Sequence, residues 1–326
     1  MNEPLRWGLL STARINNDLI PAIRASEEHK LQAVASRDLL RAQKYAAEWK
    51  IPQAYGSYEA LLADPNIDAV YIPLPNHLHA PYTILAAQAG KHILCEKPFA
   101  LQLADVDAMI AAAHKNNVTL LEAFVYRYHP QTWKVQEMLA AGELGALHTL
   151  NGTFTFKLDR EVDIRWNAQM GGGSLWDVGC YPVSYLLMAM GQAPVEVFGW
   201  QIKADGGTDL TFSGQLRFSS GAVGQFSCSF GLPFHTFMEI RGEKATIKLD
   251  NPFPPQLKTE ILLEQDGKSS RLNFKPEFRY AGILQALKSA VEQGTSPKMS
   301  LAQSRQIIAT LLALLESART GKPVLL

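Results

Sequence analysis

Cysteine is scarce in this chain of 326 residues: Cys95, Cys180 and Cys228 are too few and too scattered for a disulfide framework or a zinc site. Neither sign of charge predominates. Lys and Arg total 31, Asp and Glu total 31, so no global field favours nucleic acid or an anionic membrane. No apolar run is long enough to cross a bilayer, and Met1–Arg6 carries neither the basic stretch nor the apolar core of a signal peptide. Internal repeats and low-complexity segments are missing as well. These absences leave the expectation of a reduced, cytoplasmic, soluble protein with no metal, no nucleic-acid partner and no membrane partner. The chain is long enough for two domains, each with its own core.

Glycine is scarce at one informative place. The segment Gly8-Leu9-Leu10-Ser11-Thr12-Ala13-Arg14-Ile15-Asn16 lies between a strand, Arg6–Leu10, and a helix, Asn17–Ala25, where a dinucleotide-binding turn belongs. Such a turn uses glycines to bend tightly and to bring backbone N–H groups to a pyrophosphate. Two of them read Ser11 and Ala13. These are the smallest substitutes, so close approach survives, and the Ser11 hydroxyl adds a donor for phosphate. A strand–turn–helix without any ligand is the competing reading of this segment taken alone.

Elsewhere the first part alternates short apolar strands with amphipathic helices. Strands are expected at Leu31–Ser36, Ala69–Pro73, His92–Cys95 and Thr119–Ala123, and helices at Leu40–Trp49, His79–Ala89 and Ala104–Asn116. That alternation predicts an α/β fold with a doubly wound, Rossmann-type parallel sheet over residues 1–123. From about Tyr126 strands follow one another: Leu147–Lys157, Val195–Lys203, Asp209–Phe218, Ala222–Phe230, His235–Gly242 and Glu243–Leu249. Phe212, Gly214, Leu216 and Phe218 alternate with Thr211, Gln215 and Arg217, as in an antiparallel sheet packed on one face and open on the other. Residues 124–326 are therefore expected to form an α+β domain with a large, mainly antiparallel sheet. One helix, about Gly173–Met190, interrupts it, and Tyr280–Gln293 and Leu301–Ala318 close the chain.

Ser36-Arg37-Asp38 ends the second strand, near where an acidic residue would bind a ribose 2′-hydroxyl. A serine and an arginine suit a 2′-phosphate instead, because a guanidinium makes charge-assisted bonds to phosphate. The segment favours NADP, while Asp38 keeps NAD open.

Three further stretches carry a resemblance. Ile72-Pro73-Leu74-Pro75-Asn76-His77-Leu78-His79 and Cys95-Glu96-Lys97-Pro98 follow strands, and Gly171-Gly172-Gly173-Ser174-Leu175-Trp176-Asp177-Val178-Gly179-Cys180-Tyr181 opens the lone helix. Together they resemble the Gfo/Idh/MocA oxidoreductase family over essentially the whole chain: a Rossmann domain, then an open-faced α/β domain. Within it, Leu10–Ile15 and Tyr126-Arg127-Tyr128-His129-Pro130 are most similar to the NADP-dependent D-xylose dehydrogenase and trans-dihydrodiol dehydrogenase branch. The resemblance implies that Lys97 is the catalytic lysine, that Asp177 contacts substrate, and that Tyr181 stands where inositol dehydrogenases have histidine. That departure argues against inositol as substrate and for Tyr181 as the proton-transfer group.

Asp177 and Tyr181, four apart on a helix, share a face, and the preceding glycines let that helix approach another surface on the nicotinamide side. Oxidising an alcohol takes a hydride from carbon and a proton from oxygen, and a positioned base must accept the proton. A free tyrosine, with a pKa of about 10, needs a nearby ammonium to favour phenolate. Tyr181 as acid–base, Lys97 tuning it and holding the reacting oxygen, and Asp177 orienting a neighbouring hydroxyl meet that need; Lys97 as the acid–base group is the exchanged assignment. A cis bond at Pro98 would aim Lys97. The cofactor contacts expected are Gly8, Ser11, Thr12, Ala13, Arg14, Ile15, Ser36, Arg37, Pro73, Leu74, Asn76, His77, His79, Glu96, Lys97 and Arg127. The substrate contacts expected are Lys97, Asp177, Tyr181, and Arg165 and Trp166, which could grip a polyol by hydrogen bonding and stacking. Packing competes for His77, His79, Arg127 and Trp166. Phe154, Phe156, Phe226 and Phe230 read as sheet packing or a subunit interface.

The function expected is an NADP-dependent dehydrogenase acting on a sugar or cyclic vicinal diol, with oxidation of an aldose to its lactone as the leading reaction. Oxidation of a trans-dihydrodiol and reduction of a ketosugar use the same residues. The alternatives are an NAD-dependent glycosidase using transient oxidation, and a non-catalytic NADP-binding sensor. Intact Lys97, Asp177 and Tyr181 argue against the sensor. A homodimer or higher homo-oligomer is expected through the second sheet, because a wide sheet with an apolar outer face is seldom left bare. Specificity is expected in loops such as Arg160–Met170.

Overall fold

The computed structural model describes residues 3–160, 162–253 and 259–326. Met1 and Asn2, and Glu161 within the expected specificity loop, lie outside the described residues. The chain forms two compact units, Met1–Val125 with Phe278–Ser304, and Tyr126–Glu277 with Arg305–Leu326. A single cut after residue 123 therefore misplaces 278–304, which returns to the first unit. The return has a plain cause. Its helix buries Ile283, Leu284 and Leu287 on one side, and the buried Lys288 ammonium donates to the Glu3 carbonyl at 3.2 Å.

The chain runs β1 (Leu5–Leu10), α1 (Asn16–Arg24), β2 (His29–Ala35), α2 (Leu39–Glu48), β3 (Gln53–Tyr55), α3 (Tyr58–Leu62), β4 (Ala69–Ile72), α4 (His79–Gln88), β5 (His92–Cys95), α5 (Leu103–Lys115) and β6 (Leu120–Glu122). It continues with α6 (Pro130–Ala140), β7 (Leu147–Lys157), a π-helical turn Leu175–Gly179 leading into α7 (Cys180–Met190), β8 (Glu196–Lys203), β9 (Asp209–Arg217) and β10 (Val223–Ser229). It ends with β11 (Gly231–Gly242), β12 (Thr246–Asp250), β13 (Thr259–Gln265), β14 (Lys268–Phe274), α8 (Ala281–Gln293), α9 (Leu301–Thr320) and β15 (Val324–Leu325).

β1 to β6 make a parallel sheet in the order β3-β2-β1-β4-β5-β6. All four residues of β4 and five of the six in β1 are buried, as expected of parallel strands covered on both faces. The strand order reverses between β1 and β4, and ligands of such sheets bind at the carboxyl ends beside that reversal.

In the second unit, described strands form a sheet in the order β14-β13-β12-β11-β7-β10-β9-β8-β15. β10 pairs with β7 in parallel and the remaining pairs are antiparallel. Its inner face buries Leu150, Phe212, Leu216, Met238, Ile240, Ile247 and Leu249. The outer face differs from the apolar surface expected. Its centre is lined with hydroxyls, where Thr153 meets Ser227 at 3.1 Å and Thr211 meets Ser229 at 2.7 Å. Apolar groups gather at one margin, where Phe198 packs on Trp200 and both Trp200 and Ile202 are more than half exposed. β13 and β14 escape the sequence reading; β14 is exposed along almost its whole length and shows no alternation, and β13 alternates only over its first residues.

Two buried histidines give the fold a pH signature. His29 accepts the Trp7 indole N–H on Nδ1, and His129 accepts the Gln131 amide N–H on Nδ1. In each, burial is the leading cause that lowers the pKa to about 4. The unfolded chain takes up those protons near pH 6.5, so the stability they withhold is fully present above that pH. It drains away as pH falls from 6.5 toward 4. In a titration of the folded protein followed by histidine C2–H resonances, both rings should remain neutral at pH 5.5; a midpoint at or above 6 would contradict this packing.

Candidate active site

The turn after β1 works without its glycines through side-chain bonds. Ser11 holds a φ of 137°, a backbone region that favours glycine. Its Oγ accepts the Ala13 N–H at 3.2 Å and lies 3.4 Å from the Pro73 carbonyl, while the Asn16 amide holds the Ser11 carbonyl at 2.9 Å. Beyond it, the N–H groups of Arg14 and Ile15 bond nothing among the described residues and open toward the start of α1. Unbonded N–H groups at a helix start form an anion site. Gly8 is not part of it. It sits inside β1, where a Cβ would come within 2.6 Å of the Leu61 side chain, so its role is packing against α3 rather than phosphate contact.

At the end of β2, Ser36 is buried, donates its N–H to Tyr55 and accepts the Asp38 N–H on its hydroxyl. Asp38 is the N-cap of α2: its Oδ1 accepts the Leu40 N–H at 2.9 Å and the Arg41 N–H at 3.3 Å. A carboxylate so engaged is turned to the helix start rather than to a ribose. Arg41, which the sequence reading passed over, donates from Nε to the Thr12 hydroxyl at 2.8 Å. Arg37 and Arg41 both act on the Tyr58 phenol. Arg41 thus flanks the tip of the turn, and Arg37 lies beside the Tyr58 phenol.

The loops after β4 and β5 carry the remaining first-unit candidates. Pro73 and Leu74 are buried, Asn76 is half-buried on a short 3-10 turn, and His77 is exposed. His79 is wholly buried, with its two ring nitrogens 2.8 Å from the Leu74 and Pro98 carbonyls. Burial pushes its pKa down to about 4 against the pull of those carbonyls. The neutral ring donates to one of these carbonyls and packs against the other, so His79 sits wholly buried between two loops with neither nitrogen open to a cofactor, which corrects its expected contact role. Lys97 is half-buried, its bond to Pro98 is cis, and its backbone N–H lies 3.2 Å from Glu96 Oε2. The other Glu96 oxygen accepts the Tyr71 and Tyr280 hydroxyls, each at 2.7 Å.

In the second unit, Asp177 and Tyr181 are the two residues between Gly173 and Ala189 that are not buried. Asp177 lies in the π-helical turn and Tyr181 in the first turn of α7, so the helix expected through both is widened by i→i+5 bonding at its start. The Arg165 guanidinium donates to Asp177 Oδ2 at 2.6 Å and also reaches Asp163. Asp177 is the first cause that raises the Arg165 pKa above its ordinary value. Trp166 donates its indole N–H to the Arg160 carbonyl and packs edge-on to Phe230. The Tyr181 ring touches Phe154 at 5.3 Å and Phe253 at 5.6 Å, and these two phenylalanines stack on each other. Phe154 is thus a wall beside Tyr181. Arg127 is almost wholly buried against the Tyr126 hydroxyl, and its Nε and Nη2 bond nothing among the described residues.

The glycine run serves its own unit. A Cβ on Gly172 would lie 2.4 Å from the Arg165 carbonyl, and one on Gly173, whose φ is +117°, would lie 2.1 Å from Asp209 Oδ1. Buried Asp209 reaches from β9 to accept the Ser174 hydroxyl and the Leu175 N–H on Oδ2, both at 2.6 Å. Sequence reasoning missed Asp209, Arg41, Asp163 and Phe253. A signal existed for Arg41, since an aspartate just before a helix is a strong N-cap. No metal cluster of three or more His, Cys, Asp or Glu occurs among the described residues, nor does a helix long and apolar enough to cross a membrane.

Comparison with known proteins places this arrangement. Residues 5–124 match the family model described as an oxidoreductase family with an NAD-binding Rossmann fold, and residues 132–248 match the GFO/IDH/MocA C-terminal domain. The chain is an oxidoreductase of the NAD-binding Rossmann class. More narrowly, it belongs to the Gfo/Idh/MocA family. It is 39% identical to D-xylose 1-dehydrogenase (NADP(+)) 2 of Haloferax volcanii, over 98% of this chain and 99% of that one. It is 36% identical to trans-1,2-dihydrobenzene-1,2-diol dehydrogenase of Mus musculus, over 81% and 79%. Among solved structures it resembles KijD10, a 3-ketoreductase from Actinomadura kijaniata in complex with NADP and TDP-benzene, with a TM-score of 0.89 at 26% identity, covering 96% of this chain and 98% of that one.

Proposed function

We propose that the protein is an NADP-dependent dehydrogenase that oxidises an aldose at its anomeric carbon, or a cyclic vicinal diol at one carbinol carbon. The observation that carries this reading is the exposure pattern of the 173–189 segment, which buries everything except Asp177 and Tyr181. Polar side chains left open on an otherwise buried helix are where substrate chemistry is expected.

The residues at the first unit's sheet edge fit a phosphorylated dinucleotide. Thr12, Arg37 and Arg41 would hold a 2′-phosphate, and the open N–H groups of Arg14 and Ile15 would hold the pyrophosphate. Engagement of Asp38 as a helix cap weighs against the NAD-dependent glycosidase reading. The nicotinamide, when bound, supplies the hydride acceptor. Tyr181 would take the proton from the substrate hydroxyl, and the role given to Lys97 is to hold the reacting oxygen. Asp177, oriented by Arg165, accepts a hydrogen bond from an adjacent substrate hydroxyl, and Phe154 offers an apolar face to the C–H side of the ring. The unbonded, buried Nε and Nη2 of Arg127 call for a polar ligand atom, since an uncompensated buried charge is costly.

Incubation with NADP and a panel of aldoses and trans-dihydrodiols, followed by reduced-nicotinamide absorbance, should show turnover with at least one of them. Lys97→Ala should abolish it while NADP still binds; near-normal turnover of that variant would sink the assignment. Replacing Arg37 and Arg41 together with alanine should weaken NADP about 10- to 100-fold, from the loss of charge-assisted phosphate bonds, and leave NAD affinity nearly unchanged. Equal losses for both cofactors would argue against a 2′-phosphate site there.

The apolar margin of the outer face of the second unit's sheet, where Trp200 and Ile202 are exposed, supports a homodimer formed through that sheet. Light scattering should give twice the chain mass, and Trp200→Glu should shift it toward one; a single-chain mass for the unaltered protein would refute the dimer.

A further inference from the structure

The first unit contains a connection that the sheet does not require. Residues 278–304 come back from beyond β14, and Arg279 and Tyr280 reach the carboxyl edge of the parallel sheet. The Arg279 guanidinium donates to Asp18, in the first turn of α1, at 2.6 Å. Next to it, the Tyr280 hydroxyl donates to Glu96 Oε1 at 2.7 Å and lies 2.9 Å from the Tyr71 hydroxyl. Tyr280 and Tyr71 are buried, with their rings edge-to-face. The second Glu96 oxygen receives the backbone N–H of Lys97.

This arrangement is directional. Glu96 follows β5 and precedes Lys97, so fixing its carboxylate fixes the backbone that presents the lysine. A carboxylate at this depth is held well only if its lone pairs are met by donors. Two phenols converging on Oε1 leave Oε2 turned to the Lys97 N–H. One of those phenols comes from β4, local to the sheet. The other comes from more than 180 residues further along the chain.

We propose that Tyr280 is a positioning residue for Lys97, acting through Glu96, and that with Arg279 it makes the returning segment a strap joining the cofactor turn to the catalytic loop. The proposal rests on the assignment of Lys97 as catalytic. It gives the return of the chain to the first unit a functional reason: the part of the protein downstream of the second sheet sets the rigidity of the loop on which the lysine stands.

Tyr280→Phe removes one hydroxyl and keeps the ring, so the unit should fold. Two measurements read the strap. In the cofactor-free protein, amide exchange by mass spectrometry over the 94–99 segment should accelerate about tenfold, because the Lys97 N–H loses a fixed acceptor. With NADP and D-xylose, kcat should fall about tenfold or more while KM and NADP affinity stay close to those of the unaltered protein. Tyr71→Phe touches the same oxygen and should give the same signature, and it reads the link if Tyr280→Phe does not fold. Exchange and kcat both unchanged in Tyr280→Phe, beside an inactive Lys97→Ala, overturn the strap and leave the site intact. An active Lys97→Ala overturns the site assignment, and the exchange rate then still decides whether Tyr280 holds the loop. A loss confined to melting temperature, with exchange at 94–99 and kcat unchanged, marks Tyr280 as structural and overturns the proposal.

Discussion

The organisation of both units depends on how carboxylates are satisfied when they are not free in water. Removing a carboxylate from solvent is costly unless donors converge on it, and four acidic side chains near the candidate site are each engaged by a different donor set, whereas burial pushes the Glu122 carboxyl up to about 8. Glu96 takes two phenols and a backbone N–H. Asp209 takes a serine hydroxyl and a backbone N–H. Asp177 takes a guanidinium, and Asp38 takes the first N–H groups of a helix. In every case the acid ties together elements that share no backbone ladder: β5 to the returning segment, β9 to the π-helical turn, the 163–166 segment to the same turn, and the end of β2 to α2. The acids are joints. The catalytic assignments follow from which side chains those joints leave open.

The π-helical turn shows how this works locally. Asp209 pins its beginning, and Gly173 is required because the carboxylate occupies the space a Cβ would take. With its start fixed and the remainder of the helix buried, the segment has little freedom except at Asp177 and Tyr181. A widened turn at that point is a conformation that π-bulges commonly adopt at functional sites. The cost of the irregular turn is offset by two 2.6 Å bonds to one buried carboxylate.

What was legible in the sequence was short-range. Strand–helix alternation gave away the parallel sheet because each βα unit is written in some 30 consecutive residues. The segments around Glu96-Lys97-Pro98 and Asp177–Tyr181 were legible for the same reason. The joints were not, because their two halves lie far apart: Tyr280 is 184 residues from Glu96, and Asp209 is 34 residues from Leu175. Nothing in the local pattern around Tyr280 distinguishes it from a helix-start tyrosine. His79 misled in the opposite sense. Its position at the start of α4 invites a ligand role, while the structure buries both nitrogens between two carbonyls. Asp38 was readable as a helix cap from its place before Leu39, and reading it so would have weakened the case for a ribose-binding acid.

The turn after β1 bears on why a nucleotide-binding loop can do without its glycines. Glycine is favoured there because a positive φ costs other residues of order 1–3 kcal/mol. Ser11 keeps the positive φ, so the cost has not been evaded; it is met by one bond to the serine hydroxyl, which glycine cannot make, and by one to the backbone carbonyl, which any residue offers. The Ser11 hydroxyl receives the Ala13 N–H, and Asn16 clamps the Ser11 carbonyl. Each such bond contributes about 1 kcal/mol net, enough together to offset most of the strain. A glycine here would also leave the unfolded chain more freedom to lose on folding. The substituted turn is therefore the stiffer one, and Arg41 on Thr12 braces it from outside. A loop braced on both sides presents its N–H groups in one geometry, so a ligand that matches that geometry need not order the loop in order to bind.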